Sequence, residues 1–178
     1  MSLKKAAMLV LVLTLVSGFL LSPVSACASV SDTSSKGSVT ESKDKKIKKY
    51  NKADLRLMAS IINCEAGGES YQGKLAVGIV VMNRVKSKSF PGSIKKVIYQ
   101  KGQFSPVRNG SLKKKLSQYD SGKTNSKQWK SCISAAKKVL GGQRTIIYKG
   151  KVKNMKSFHF FSVTLKGARL RLGGHRFK

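Results

Sequence analysis

Acidic residues are scarce in this chain. Its 178 residues include 36 Lys and Arg but only 7 Asp and Glu, which gives a formal charge of +29 at neutral pH. So basic a protein is expected to work beside an anionic partner or surface. The acidic residues beyond Tyr50 are Asp54, Glu65, Glu69 and Asp120. Any chemistry that needs a carboxylate therefore has few candidates.

Histidine and cysteine are also rare, with two and three residues respectively. A structural or catalytic zinc site needs several of these side chains at compact spacing. The candidate ligands in the second part of the chain lack that spacing: His159, His175, Cys64 and Cys132. We therefore expect neither a metal site nor a cofactor.

The N-terminus has the pattern of an export signal. Lys4 and Lys5 precede an apolar run from Ala6 to Leu21, and small residues follow as far as Ala26. The tetrad that ends at Cys27 also fits the pattern at which bacterial lipoproteins are cleaved and lipidated. We expect a secreted protein of the cell wall or envelope, with lipidation of Cys27 as an alternative that would add a membrane anchor.

Composition divides the chain into three parts. Residues 1–26 form the predicted signal peptide, which is the lipoprotein signal under the alternative. Residues 27–50 are rich in Lys and Ser with few apolar residues, so a flexible linker is expected there. Residues 51–178 have the length of one ordinary domain.

The charge and the export signal together limit the classes of binding partner that we expect. An exported basic chain meets the anionic polymers of the cell wall rather than intracellular nucleic acid. Its lysines are also scattered, without the interleaved aromatic side chains on which nucleic-acid bases stack. We therefore expect anionic cell wall polymers as partners, no nucleic acid, and membrane contact only through a lipid anchor.

Cys64 and Cys132 are the two cysteines of the predicted domain. Outside the cytosol an isolated pair is more often bridged than free, so a disulfide is predicted. It would close a loop of about 68 residues and restrict the unfolded chain by about 4 kcal/mol. The alternative is two buried free thiols that act as small apolar side chains.

Periodicity predicts a mostly helical α+β domain. Residues 72–85 are almost continuously apolar, so periodicity does not separate a buried strand from a buried helix, and length favours a helix. The stretch from 102 to 127 is predicted to be mostly loop, with one helical turn near Leu112. Predicted helices are 51–66, 72–85, 93–99 and 126–140. Predicted strands of a small antiparallel hairpin or sheet are 145–148, 158–163 and 168–172.

Glu65 is the most informative residue of the domain. At about 100° per residue it falls on the same helical stripe as Ile61 and Ile62, so its carboxyl should face the packed side. Desolvation raises the pKa of a carboxyl and allows it to hold a proton near neutral pH, as a general acid must. Gly67-Gly68 ends the helix directly afterwards, which lets a ligand approach the backbone closely.

Several segments in fixed order resemble the cell wall hydrolase family of spore-cortex-lytic enzymes (SleB/CwlJ type). The resemblance extends from about Leu55 to the C-terminus. The segments that carry it are Cys64 to Gly73, Ala76 to Val85, Phe90-Pro91, Val97 to Tyr99, Gly102 to Val107 and Gly173 to Phe177. It implies a single lysozyme-like, lytic transglycosylase-like domain that acts on the glycan strands of peptidoglycan. It also implies that Glu65 matches the family's catalytic glutamate.

Polar residues within these segments are expected to bind substrate. The predicted set is Glu69, Tyr71, Asn83, Gln103, Phe104, Ser105 and His175, where Phe104 would offer an apolar wall. A structural role remains the alternative for each of them. Glu69 in particular is equally compatible with a cap or a turn.

The scarcity of carboxylates favours a lytic transglycosylase over a hydrolase. Ordinary glycosidases use two carboxylates that flank the scissile bond. A lytic transglycosylase uses one glutamate, which protonates the leaving oxygen and then takes the proton of the C6 hydroxyl. The alternatives are a muramidase-type glycoside hydrolase and a noncatalytic cationic protein that binds the envelope.

Overall fold

The structure is a computed structural model that describes residues 50–178. The predicted signal peptide, the linker and the lipidation at Cys27 lie outside the described residues and stay predictions. No helix among residues 50–178 has the length and apolar character needed to cross a membrane.

Six helices precede five short strands in the described part of the chain. The helices are α1 (Lys52–Ala66), α2 (Tyr71–Lys86), α3 (Ile94–Ile98), α4 (Ser105–Arg108), α5 (Ser111–Asp120) and α6 (Lys127–Leu140). The strands are β1 (Thr145–Tyr148), β2 (Lys151–Asn154), β3 (Phe161–Ser162), β4 (Leu170–Leu172) and β5 (His175–Phe177). The predicted mostly helical α+β fold with a small C-terminal antiparallel sheet is confirmed.

Short polar residues cap the three long helices. The side chain of Asn51 accepts a hydrogen bond from the amide of Asp54 at 2.6 Å and so begins α1. Ser70 caps α2, and Ser126 caps α6 in the same way. Each cap satisfies one of the amides that the first helical turn leaves without a partner.

The core lies where α1, α2 and α6 pack against one another. Helix α2 is nearly all buried, which explains its continuous apolar run and confirms a helix rather than a strand. At Gly78 an added Cβ would lie 2.9 Å from Cδ1 of Ile62 on α1 and 3.2 Å from Cγ2 of Val139 on α6. Gly78 therefore permits the close packing of α2 on both neighbours.

The region between residues 102 and 127 is more helical than predicted. It contains α4 and α5, of which α5 extends for ten residues rather than one turn. Only Leu112 and Leu116 are buried on α5, so its apolar period is weak in the sequence. The prediction of a mostly loop segment was wrong because one buried leucine per turn suffices when α1 packs against that face of α5.

Two small antiparallel sheets complete the domain. One is the β1–β2 hairpin, and the other has the strand order β3-β5-β4. The register pairs Phe161 and Leu170 with Phe177 on the central strand. Strands β2 and β5 were not predicted, because β2 is fully exposed and both are rich in basic residues. His159 lies before β3 rather than in a strand.

Candidate functional site

Glu65 lies in the last turn of α1, directly before the glycine pair. Its neighbours Ile61 and Ile62 are fully buried, and Glu65 itself is half-buried. Burial raises the pKa of the Glu65 carboxyl above its ordinary value. The prediction that this carboxyl faces the packed side and is desolvated agrees with the structure. Such a group can donate a proton and afterwards accept one.

Glu69 connects the loop after Glu65 to the C-terminal hairpin through a hydrogen bond. Oε1 of Glu69 accepts a hydrogen bond from the amide of Gly174 at 3.1 Å and lies 3.7 Å from Nδ1 of His175. Gly173 has a φ of 54°, in the left-handed region, and a Cβ at that position would overlap the Glu69 carboxylate. Glu69 and His175 are therefore brought together, although 105 residues separate Glu69 from Gly174.

A cavity of about 400 Å³ adjoins the same loop. Its lining residues are Gly67, Gly68, Glu69, Tyr71, Lys74, Lys127, Gln128 and Ser131. The ammonium group of Lys74 donates to the backbone carbonyl of Glu69, and the Tyr71 hydroxyl lies 3.2 Å from Oγ of Ser134. Amide, hydroxyl and ammonium groups of this kind can pair with sugar hydroxyls. Glu65 is not among the lining residues of this cavity.

Asn83 and Phe104 have the structural roles that the sequence left open as an alternative, and their predicted contacts with substrate stay a prediction. Nδ2 of Asn83 donates to the carbonyls of Met155 and Phe158 at 2.7 and 2.8 Å, so its amide fixes the segment after β2. Phe104 is 2% exposed and packs against Phe161 in the core. The fold therefore uses both side chains: the two amide hydrogens of Asn83 are already donated, and the ring of Phe104 is buried.

Gln103 and Ser105 are exposed on either side of the buried Phe104. They lie at the start of α4, where Phe104 takes an extended backbone conformation before the helix begins. Alternation of side chains along this extended stretch buries the aromatic ring and leaves the two polar neighbours outside. Their predicted contact with substrate stays a prediction.

The predicted disulfide is not formed in the structure, where Cys64 and Cys132 are free. Burial raises the pKa of each thiol to about 11. Both thiols therefore stay protonated at neutral pH and act as small apolar groups of the α1–α6 interface, which is the alternative that the sequence left open.

The residues that sequence reasoning missed are the backbone and side-chain partners around Glu69. Lys74 is 5% exposed, and its ammonium group donates to the Glu69 carbonyl. The apolar pattern of α2 gives no indication of this contact. The only available signal was the Gly173-Gly174 pair, because paired glycines permit a close approach. Among residues 50–178, no group of three or more His, Cys, Asp and Glu side chains could hold a metal ion.

Comparison with known proteins identifies relatives of this domain. The Cell Wall Hydrolase family matches residues 68–172. The spore cortex-lytic enzyme of Bacillus cereus is 40% identical over 63 residues, which are 35% of this chain and 24% of that protein. The cell wall hydrolase CwlJ of Bacillus subtilis is 42% identical over 62 residues, 33% of this chain and 44% of that protein. These matches therefore span less than half the length of either relative.

Two solved structures share the fold. The catalytic domain of Bacillus cereus SleB gives a TM-score of 0.53 at 23% identity, over 73% of this chain and 92% of that one. The catalytic domain of the Bacillus anthracis germination-specific lytic transglycosylase SleB gives 0.51 at 23% identity, over 73% and 97%. At this identity the likeness shows the fold alone. The family match begins at Gly68, so Glu65 lies just before it.

Proposed function

Since the chain belongs to the cell wall hydrolase family, we propose that it is an exported enzyme that cleaves the glycan strands of peptidoglycan at a muramic acid linkage. The proposed reaction is that of a lytic transglycosylase. The observation that carries it is the half-buried Glu65 carboxyl with its raised pKa, in a domain that has few other acids.

Glu65 takes two roles in turn. Its protonated carboxyl first gives a proton to the glycosidic oxygen, and the bond from that oxygen to the anomeric carbon breaks. The resulting carboxylate then takes the proton of the C6 hydroxyl, whose oxygen closes on the anomeric carbon. The product carries a 1,6-anhydromuramic end, Glu65 regains its proton, and no water is consumed. A carboxyl with a raised pKa suits both steps.

The positions of Asp54 and Asp120, together with the contacts of Glu69, support one catalytic carboxylate. A second carboxylate in a glycosidase lies about 5 to 9.5 Å from the first. Asp54 lies eleven residues before Glu65 on α1, a separation of about 16 Å along the helix. Asp120 is paired with Arg56, towards the same end of α1. Glu69 holds the Gly174 amide and lies beside His175.

Substrate binding is assigned to polar groups near the end of α1 and the start of α4. Tyr71 would contact sugar hydroxyl or N-acetyl groups from the cavity that it lines. Gln103 and Ser105 are exposed and can contribute similar contacts. Glu69 and His175 would act by holding the C-terminal hairpin against the loop that follows Glu65. The basic surface would retain the enzyme among anionic polymers of the wall.

Digestion of purified peptidoglycan tests this proposal. We expect soluble muropeptides lighter by one water than hydrolysis products, and we expect Glu65→Gln to abolish them while binding to the wall persists. Glu65→Gln is nearly isosteric and removes only the titratable proton. Fragments with ordinary reducing ends would indicate a muramidase-type hydrolase. Binding without fragments from the wild type would indicate a noncatalytic cationic protein and would overturn the proposal.

A further inference from the structure

A positively charged pocket lies at the far end of α2 from the Glu65 loop. Its volume is about 240 Å³, and its lining residues are Asn83, Lys86, Ser87, Arg144, Lys156 and His159. Asn83 lies twelve residues after Tyr71, about 18 Å along the helix. The four acidic side chains of residues 50–178 are all absent from this lining. The pocket is thus separate from Glu65, and among residues 50–178 its lining includes the basic side chains of Arg144 and Lys156 and no acidic one.

Arg144 lines this pocket and is buried, unlike a cation on the protein surface. It is 7% exposed, and Nη1 donates to the carbonyls of Val139 and Gln143 at 2.8 and 2.6 Å, which fixes the guanidinium plane. Nε is buried and has no hydrogen-bond partner within residues 50–178. Burial lowers the pKa of Arg144, as expected when a charge is desolvated without a carboxylate partner.

Arg84 is a second buried cation, and it contacts the backbone of the lining residue His159. It is 4% exposed, and Nε donates to the carbonyl of His159 at 2.7 Å. Its guanidinium is 5.3 to 5.5 Å from the centres of three aromatic rings, those of Phe90, Phe104 and Phe160. The described ion pairs of the chain involve other residues. Within residues 50–178, two desolvated guanidinium groups therefore have no carboxylate partner, which is costly unless an anion binds nearby.

We propose that the pocket formed by Asn83, Lys86, Ser87, Arg144, Lys156 and His159 binds a phosphate group. Its donors come from the end of α2, from the residue before β1 and from the segment after β2. The oxygens of a tetrahedral anion can accept hydrogen bonds from donors that converge from three elements. A planar carboxylate accepts hydrogen bonds from fewer directions. The source is a phosphodiester of an anionic polymer or free phosphate. This site does not depend on a catalytic role for Glu65.

Titration of the protein with inorganic phosphate tests the pocket. At constant ionic strength, balanced with chloride, we expect saturable binding by calorimetry and a rise in melting temperature that chloride does not give. Lys156→Gln removes an exposed lining charge without disturbing the core, and should weaken binding about tenfold. The matched control is Lys113→Gln, an exposed lysine on α5, which should leave the affinity unchanged. Equal effects of phosphate and chloride, or equal affinities of the two variants, would overturn the proposal.

A second variant and a second ligand complete the experiment. Arg144→Lys keeps the charge but loses the fixed guanidinium, so it should lower the phosphate affinity more than Lys156→Gln does. Sedimentation with cell walls, before and after chemical removal of their phosphate polymers, then identifies the source. Weaker sedimentation of Lys156→Gln only on untreated walls would assign the pocket to a polymer phosphodiester. Saturable phosphate binding with unchanged sedimentation would assign it to free phosphate.

Discussion

Replacing Glu69 with alanine should loosen the C-terminal hairpin. The carboxylate accepts the Gly174 amide at 3.1 Å, and a hydrogen bond to a charged acceptor contributes about 1.5–3 kcal/mol. Gly174 is exposed, so its amide regains water in the variant, and the expected loss of unfolding free energy is nearer about 1 kcal/mol. For a domain of this size the melting temperature should fall by about 3–5 °C.

A matched substitution and a hydrogen-exchange measurement show whether the contact between Glu69 and Gly174 is responsible for the lost stability. Glu69→Gln keeps an acceptor oxygen for the Gly174 amide and loses only the charge, so it should lose less stability than Glu69→Ala. Hydrogen exchange at the Gly174 amide, followed by NMR, should accelerate in Glu69→Ala and change little elsewhere in α1 and α2. Unchanged exchange at Gly174 would refute the contact.

A double-mutant cycle with Gly173 gives the sharpest form of this test. Gly173→Ala introduces a Cβ into the space of the Glu69 carboxylate, at a φ of 54° that costs about 1 kcal/mol for a residue other than glycine. Since either substitution breaks the same contact, Glu69→Ala should cost almost nothing in the Gly173→Ala background. Additivity to within about 0.5 kcal/mol in chemical denaturation would contradict a direct interaction.

Three further predictions concern the fold and the Glu65 carboxyl. Asn83→Ala should lower the unfolding free energy by about 2–3 kcal/mol, because two buried carbonyls lose their donor; a loss below about 1 kcal/mol in urea would contradict this. Cys64 and Cys132 should react with a thiol reagent slowly in the native protein and quickly in denaturant, and an intact mass that shows a bridge would disprove the free thiols. The raised pKa of Glu65 means that the folded state loses stability as the pH rises through that pKa. Glu65→Gln should therefore gain stability relative to wild type as the pH rises above the ordinary glutamate pKa of about 4.3, and a stability difference that does not change with pH in thermal unfolding would contradict the desolvation.

Local signals in the sequence predicted the helical part of the fold. Asn51, Ser70 and Ser126 are short polar residues directly before apolar runs, and each of them caps a helix. Helix α5 was missed because its pattern is polar apart from Leu112 and Leu116, and its helical state depends on packing against α1. Capping is a local interaction, so neighbouring residues in the sequence indicate it. Tertiary packing joins residues that are distant in sequence, so no local pattern indicates it.

The candidate site was predictable in its central residue but not in its partners. The direction of Glu65 follows from helical periodicity alone, and its desolvation follows from Ile61 and Ile62 on the same stripe. The contact of Glu69 with Gly174 joins residues that are distant in sequence, so no local pattern indicates it. Asn83 has the chemistry of a sugar-binding residue, but tertiary packing directs its amide to Met155 and Phe158.

The measurement that tests the catalytic account most directly is digestion of peptidoglycan in water enriched in the heavy oxygen isotope. If Glu65 serves alone as acid and then base, the sugar closes on its own C6 oxygen. The new glycan ends should then contain no heavy oxygen, and Glu65→Gln should release no fragments. Heavy oxygen in each new reducing end would show that water attacks the anomeric carbon, and would contradict the transglycosylase mechanism.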